Sequence, residues 1–415
     1  MPTTTPATAT ATATARGTTP SAPVRPGRSS GTLLAVIALC TAVTAANIYL
    51  AAPLLRLIAT DFGTTPEAAG WIASVAQLGY AVGLLLFAPL GDTADRRRLV
   101  GGLSAVAGAA LVAAALAPGL PALAAAILVS CAATVVPQLL VPLVAERAPA
   151  ERRARHVAAV VAGLFTGIVA ARVVGGLAGQ AFGWRAVFWG AAALTVAVGL
   201  LTALMLPAET RPRRSGNPLR GIAALPGLFL SSPQLRAACL RQAGLFGSWS
   251  ALWTSLTLLL TDESGPYRVS LGTAGLFGLF GLVSTAVAPV SGTLVDRFGP
   301  RRVVAVAYGA SALAVPLFLL GEHMMAALCA GAVLIHAGLM AGQVANQTRA
   351  LGATERPAVA NTAYVVAAFI GGAAASALAG PAFGRWGWAG VCAIAALWVT
   401  VGWTGGALAE RRVRA

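Results

Sequence analysis

The sequence predicts an all-α membrane protein, with twelve transmembrane helices in two six-helix halves, and three observations lead there. Of its 415 residues, 57% are hydrophobic and 10% are charged, where a soluble domain carries roughly 25% charged residues. The charges are not spread along helix faces but collect in short runs between apolar stretches, each about 20 residues long, enough to cross roughly 30 Å of hydrocarbon. Arginines gather in alternate connections between those stretches. No soluble fold of this size could bury so much apolar surface, so lipid must be the solvent for most of the chain.

The elements follow in order. Residues 1–30 are a Thr/Ala/Pro tract that includes TATATAT and carries Arg16, Arg25 and Arg28. It is too poor in apolar side chains to form a core and is expected to be a disordered cytoplasmic tail. A secretory leader is the competing reading, but the apolar run 33–53 is longer than a leader's core and eleven more spans follow. Spans are expected near 33–53, 69–90, 99–117, 122–145, 156–178, 185–206, 237–260, 271–293, 303–320, 325–345, 357–380 and 387–408. Pro137, Pro142 and Pro289 fall inside spans and are expected to loosen them for conformational change. The stretch 207–236, with Pro207, Pro212, Pro218 and five arginines, is expected to be a cytoplasmic linker. It separates an N-terminal half, 31–206, from a C-terminal half, 237–410, which a short tail, 411–415, follows.

Orientation comes from charge. With the N-terminus inside, twenty-three of the 29 basic residues, all arginine, fall in cytoplasmic segments. Only Arg56, Arg185, Arg268 and Arg385 fall on the opposite side, while Arg172 and Arg241 lie within spans. Such asymmetry is the positive-inside pattern, and it survives only if the span count is even. Both ends are therefore expected in the cytoplasm, with the chain in the cell membrane. The formal charge of +16 does not form the interleaved basic and aromatic surface of a nucleic-acid binder, so no nucleic-acid partner is expected. Cys40, Cys131, Cys239, Cys329 and Cys392 all lie in apolar stretches without a C-x-x-C pair. They read as small core residues, and neither a metal site nor a cofactor is expected.

Internal similarity supports a duplication. Gly91-Asp92-Thr93-Ala94-Asp95-Arg96 recurs as Gly292-Thr293-Leu294-Val295-Asp296-Arg297, 201 residues on. Phe182-Gly183-Trp184-Arg185, before span 6, recurs at the same offset as Phe383-Gly384-Arg385-Trp386, before span 12. Parallel repeats of this kind place binding sites at the repeat interface, near the middle of the membrane.

On these residues the chain resembles the major facilitator superfamily over nearly its whole length after residue 30. The family's loop signature between spans 2 and 3, G-x-x-x-D-R-x-G-R-R, is matched by Gly91, Asp95 and Arg96, with Arg98 in place of the second glycine and Asp92 and Arg97 alongside. The second copy matches at Gly292, Asp296, Arg297, Gly299, Arg301 and Arg302, with Pro300 inserted. The texture of Gln77-Leu78-Gly79-Tyr80 and Pro89-Leu90-Gly91-Asp92 is similar to the bacterial drug:proton antiporters and their sugar-efflux relatives. The resemblance implies a loop motif that latches the halves in one state and releases them in the other. A carboxylate such as Asp95 is favoured beside the positive end of a helix, and Pro357 suits the first turn of span 11. The alternative is that these charges only set topology.

Span 5 carries Gly163-x-x-x-Gly167 and Gly175-Gly176, small residues that let helices approach. Antiporters of the family show G-P-x-x-G-G here, whereas this chain has Ala171-Arg172-Val173-Val174-Gly175-Gly176. Arg172 is the only charge deep within a span, and an intramembrane arginine is a functional candidate by default. Two roles stay open for it, gripping an anionic or hydroxyl-bearing substrate, or bonding carbonyls of a neighbouring helix. All thirteen acids lie in loops or at helix ends. Proton coupling would thus rest on Asp92, Asp95 or Glu146 at the cytoplasmic edge, or on His336 in span 10. From the helices that line the cavity in this superfamily, the substrate candidates are Asn47, Gln138, Arg172, Trp249, Trp253, His336 and Gln343, followed by Gln77, Asn361 and Tyr364. No nucleophile and base pair or phosphate-binding glycine loop is evident, so an enzyme is not expected.

The function expected is secondary active transport by a monomer, exporting a small amphipathic or drug-like compound in exchange for protons. Import of a small metabolite is the alternative, and a non-transporting membrane sensor would keep the same architecture.

Overall fold

The computed structural model describes residues 30–206 and 218–411. The predicted disordered tail, apart from Ser30, lies outside the described residues, as do 207–217 of the linker and 412–415 of the terminal tail.

Among the described residues the chain is helical and has no strand, as lipid demands: without water, backbone groups must be satisfied within each helix. The first half comprises α1 (Ser30–Tyr49), α2 (Pro66–Gly91), α3 (Arg96–Ala115), α4 (Leu120–Arg147), α5 (Arg153–Phe182) and α6 (Trp184–Met205). The second comprises α7 (Pro233–Thr261), α8 (Leu271–Phe298), α9 (Pro300–Leu320) and α10 (Met325–Leu351), then the stretch Pro357–Arg411. That stretch breaks at Gly387, whose φ of 62° is left-handed, into α11 (357–386) and α12 (388–411). Twelve helices thus correspond to the twelve expected spans, several of them a few residues longer, α5, α10 and α11 the most. Large apolar side chains such as Leu116, Leu204, Val306 and Leu408 are exposed on the outside of the bundle, the reverse of a soluble fold and the face that lipid would cover.

Twelve crossings bring Ser30 and Arg411 to one end. The arginine-bearing connections lie there too, and it is called here the arginine-rich end, opposite the far end. Ion pairs with well-buried arginines tie helices together at that end. Arg96 grips Glu146 at the end of α4 with two hydrogen bonds, at 2.6 and 3.0 Å. In the second half, Glu410 of α12 accepts two hydrogen bonds from Arg241 of α7, at 2.7 and 3.2 Å, and another from Arg349 of α10.

Small residues set the closest contacts. On α5, a Cβ added at Gly167 would lie 1.9 Å from the Ala42 carbonyl oxygen of α1, and one at Gly163 would lie 2.4 Å from that of Ala38. Only glycine lets these two helices meet backbone to backbone. α4 is interrupted between Ala133 and Val136, and Pro137 sits in the first turn of its second segment, where a missing N–H is harmless. Pro142 and Pro289 lie inside α4 and α8.

The structure corrects one register in the repeat. Gly183 (φ 80°) ends α5 just before buried Trp184, and its counterpart is Gly387 (φ 62°) before buried Trp388. That pair is 204 residues apart, whereas Gly384, the partner expected from sequence, is an ordinary helical residue of α11. The linker also holds more order than expected: Pro218–Ser231 is a helix. Its Leu228 and Phe229 pack on Leu235, Cys239, Ala350, Ala360 and Tyr364 at the arginine-rich end of the second half.

Candidate functional site

The halves meet around a cavity of about 210 Å³. Its lining comes from both: Tyr49 of α1, Tyr80 of α2, Gln138 of α4 and Phe165 of α5 face Gln242, Phe246 and Trp249 of α7, Ser284 of α8, His336, Gln343 and Gln347 of α10, and Asn361, Tyr364 and Phe369 of α11. Gln242, Gln347 and Asn361 each lie within about three turns of the arginine-rich ends of their helices, so the cavity reaches toward that end.

Toward the far end the halves are closed on each other. The Gly272 N–H of α8 donates to Gln180 Oε1 of α5 at 2.8 Å, and Arg56 pairs with Glu263 at 3.5 Å. Deeper in, Gln77 of α2 donates through Nε2 to Ser250 Oγ of α7 at 2.6 Å and to Ser376 Oγ of α11 at 3.2 Å. Ser376 also bonds Ser250 and Thr254, so one amide holds a three-hydroxyl cluster across the seam.

The roof of the cavity on that closed side is aromatic. The Trp249 indole N–H donates to His336 Nε2 at 3.1 Å, and His336 Nδ1 lies 2.8 Å from the Ala332 carbonyl oxygen. Because Nε2 accepts and Nδ1 faces an acceptor, the network assigns a neutral imidazole with its proton on Nδ1. Trp253 stands edge-on to the same ring at 4.3 Å, and Tyr49 meets Trp249 edge-on at 5.9 Å. Behind this roof lies Arg172, 6% exposed, whose Nη1 donates to the Trp253 carbonyl oxygen at 3.1 Å. Its guanidinium carbon is 5.3 Å from the Trp253 ring centre and 5.9 Å from that of Trp249, within cation–π range.

The residues singled out from sequence therefore divide. Gln138, Trp249, His336, Gln343, Asn361 and Tyr364 line the cavity. Gln138 donates to the Tyr80 hydroxyl at 3.2 Å, Asn361 accepts from Gln347 at 2.8 Å, and the Tyr364 hydroxyl donates to the Gln343 carbonyl at 3.0 Å. Arg172 and Trp253 stand one layer behind, and Gln77 lies in the seam. Asn47 is not among the residues that line the cavity, and it donates to Thr195 of α6 at 3.0 Å, inside the first half. Tyr49, Tyr80, Gln242, Phe246, Gln347 and Phe369 line the cavity without having been singled out. A polar residue in a span is a readable signal, but which side of a uniformly apolar helix faces inward is not.

The loop motifs sit at the arginine-rich end, in equivalent connections that are built differently. In the first, the Asp95 carboxylate caps α3 by accepting from the Arg97 N–H at 3.0 Å, and Arg96 Nε donates to the Gly91 carbonyl at 2.8 Å. The side chain of Asp92 lies outside the description. In the second, Gly292, Asp296 and Arg297 belong to α8, Gly299 (φ 79°) makes the turn, and Arg301 and Arg302 start α9, exposed. The first copy has Arg98 where a glycine would stand, so a side-chain cap does there what backbone freedom does in the second.

Chemically, the cavity offers aromatic faces and uncharged donors and acceptors, a surface suited to an amphipathic molecule. Among the described residues, its lining contains no carboxylate, lysine or arginine.

Comparison with known proteins agrees with this architecture. The profile of the Major Facilitator Superfamily matches residues 37–261. A probable transporter of Streptomyces coelicolor is 64% identical over 386 residues, covering 93% of this chain and 89% of the relative. A chloramphenicol resistance protein of Streptomyces lividans is 34% identical over 300 residues, 71% of this chain and 72% of that protein. Among solved structures, a bacterial homologue of the human lysosomal transporter Spinster, inward-facing and unoccupied, superposes with a TM-score of 0.70 at 16% identity, over 92% of this chain and 96% of that one. A profile spanning more than half of the chain, and a relative nearly two-thirds identical along almost all of it, show that this protein belongs to the major facilitator superfamily.

Proposed function

We propose that this chain is a secondary active transporter of the cell membrane that works by alternating access and exports a small amphipathic compound in exchange for protons. The observation that carries this is the cavity: it lies between the two halves, is aromatic and polar but uncharged, reaches toward one end and is closed at the other. The arginine-rich end is the cytoplasmic one by the positive-inside pattern, so the described state is open inward and both chain ends are cytoplasmic. One chain supplies both walls, so the transporting unit is a monomer. Kinship with a chloramphenicol resistance protein supports export of a drug-like compound.

For coupling, His336 is the candidate. Protonating Nε2 would turn the acceptor of the Trp249 bond into a donor, so a proton entering the cavity must release the roof tryptophan. Glu146 is engaged by Arg96 and Asp95 by its own helix end, both far from the cavity roof.

The test is accumulation of a panel of drug-like compounds in inverted vesicles, with and without a protonophore, for the wild type and His336→Gln. Export coupled to protons predicts uptake that the protonophore abolishes and that the variant no longer links to pH. Uptake indifferent to both would remove proton exchange, and absence of any uptake would remove transport. Reporter fusions at residues 1 and 415 must report the same side of the membrane.

A further inference from the structure

Arg172 is a full positive charge in the membrane interior, and apart from the faces of Trp249 and Trp253 its surroundings supply no counter-charge among the described residues. It is 6% exposed, it spends one hydrogen bond on the Trp253 carbonyl, and its Nε–H meets no acceptor among the described residues. No carboxylate among the described residues pairs with it. The contrast within the molecule is direct: Arg96, Arg241 and Arg349, whose side chains are also well buried, each hold a glutamate. A buried cation with neither a full set of acceptors nor a counter-charge is costly. The cost is met if a mobile anion completes the site during the working cycle.

Its position fits that role. Val169, one turn before it on α5, lines the cavity, as do Trp249 and His336, the roof groups beside it. The guanidinium lies 5.9 Å from the centre of the Trp249 ring, so one indole separates it from whatever occupies the cavity. The bond to Trp253 joins the two halves, α5 to α7, and must break when the far end opens. Anything passing from the cavity to the far end then meets a guanidinium that has just lost its acceptor.

We propose that the exported compound carries a carboxylate or an acidic oxygen group of similar size, and that Arg172 receives it as the roof opens. This rests on the transport reading above and narrows its substrate to amphipathic organic anions. Arginine suits the task because its planar fork can bond both oxygens of a carboxylate. Aromatic side chains such as Phe246, Trp249 and Phe369 would take the apolar body of the compound.

The experiment compares matched probes, a series of arylalkyl carboxylates and the corresponding primary amides. Uptake into inverted vesicles and shifts in thermal unfolding of the purified full chain are both measured. Wild type is expected to favour the carboxylates, and Arg172→Gln to reduce the carboxylate-to-amide ratio at least about tenfold. Arg172→Lys, which keeps the charge but not the fork, should give an intermediate ratio. Using the ratio cancels any general effect of losing the bond to Trp253. If Arg172→Gln does not fold, the lysine variant decides, and an unchanged ratio there overturns the proposal. Equal handling of both series by wild type refutes the anion site while leaving transport standing. Failure of both series to move or bind removes the transport reading, and the anion site with it.

Discussion

Replacing Glu410 by glutamine should destabilise the second half more than any surface charge change. The carboxylate serves two guanidiniums at once, and the side chains of Arg241 and Arg349 are only 7% and 8% exposed. Neither arginine is otherwise fully satisfied: Arg241 Nε and Arg349 Nη1 have no acceptor among the described residues. Glutamine removes the only negative charge among the described residues of the junction and leaves two nearly buried cations facing each other. Each charge-assisted bond contributes about 1.5–3 kcal/mol, and removing one partner of a buried pair costs roughly 3–5 kcal/mol. Glu410 is itself 26% exposed, and water screening lowers the net effect to about 3 kcal/mol. The measurement is unfolding free energy in a detergent-denaturant titration of the purified protein. Glu410→Gln combined with Arg349→Met, which removes one stranded cation, should cost at least about 1 kcal/mol less than the two single changes added together. A loss below about 0.5 kcal/mol for Glu410→Gln, with additive behaviour in the double variant, would show that the junction behaves as a solvated surface pair.

Other outcomes follow from the same geometry. Asp95→Ala should cost about 1 kcal/mol of stability through loss of the α3 cap, whereas Asp95→Asn keeps a capping side chain; transport lost in the asparagine variant at unchanged stability would show that the carboxylate does more than cap. Gln77→Leu removes the bonds to Ser250 and Ser376 across the seam, and two neutral bonds at about 1 kcal/mol each should shift the equilibrium toward the far-end-open state by about thirtyfold. Spin labels at Thr65 and Ser264 would report this as a gain in the longer distance, and an unchanged distribution would remove Gln77 from the closure. Gly167→Val places a side chain against the Ala42 carbonyl and should cost about 2 kcal/mol or more, seen as loss of monodisperse protein, whereas Gly102→Ala, with nothing within 4 Å of the new Cβ, should be tolerated.

Hydropathy and arginine counts are sums along the chain, and so the sequence by itself determined what depends on such sums: twelve crossings, two six-helix halves and the arginine-rich side. A span needs about 20 apolar residues whatever it packs against, which is why the expected ranges and the helices agree to within a few residues. Single residues that are costly in lipid were legible for the same reason: Arg172 and His336 stand out in any apolar run, and both lie at the closed end of the cavity. What remained hidden depends on how each helix is turned and on what stands beside it. Asn47 and Gln138 look alike in sequence, yet one pairs with Thr195 inside a half and the other lines the cavity. Glu410, near the chain's end, gave no sign that it would collect Arg241 and Arg349 from helices far away in sequence. Gly387, not Gly384, makes the last turn, because a left-handed backbone is needed where the buried tryptophan of the repeat must enter the next helix. In helices that are apolar all round, no stripe marks the inner face, so only the tertiary structure could decide which side chains meet across the seam.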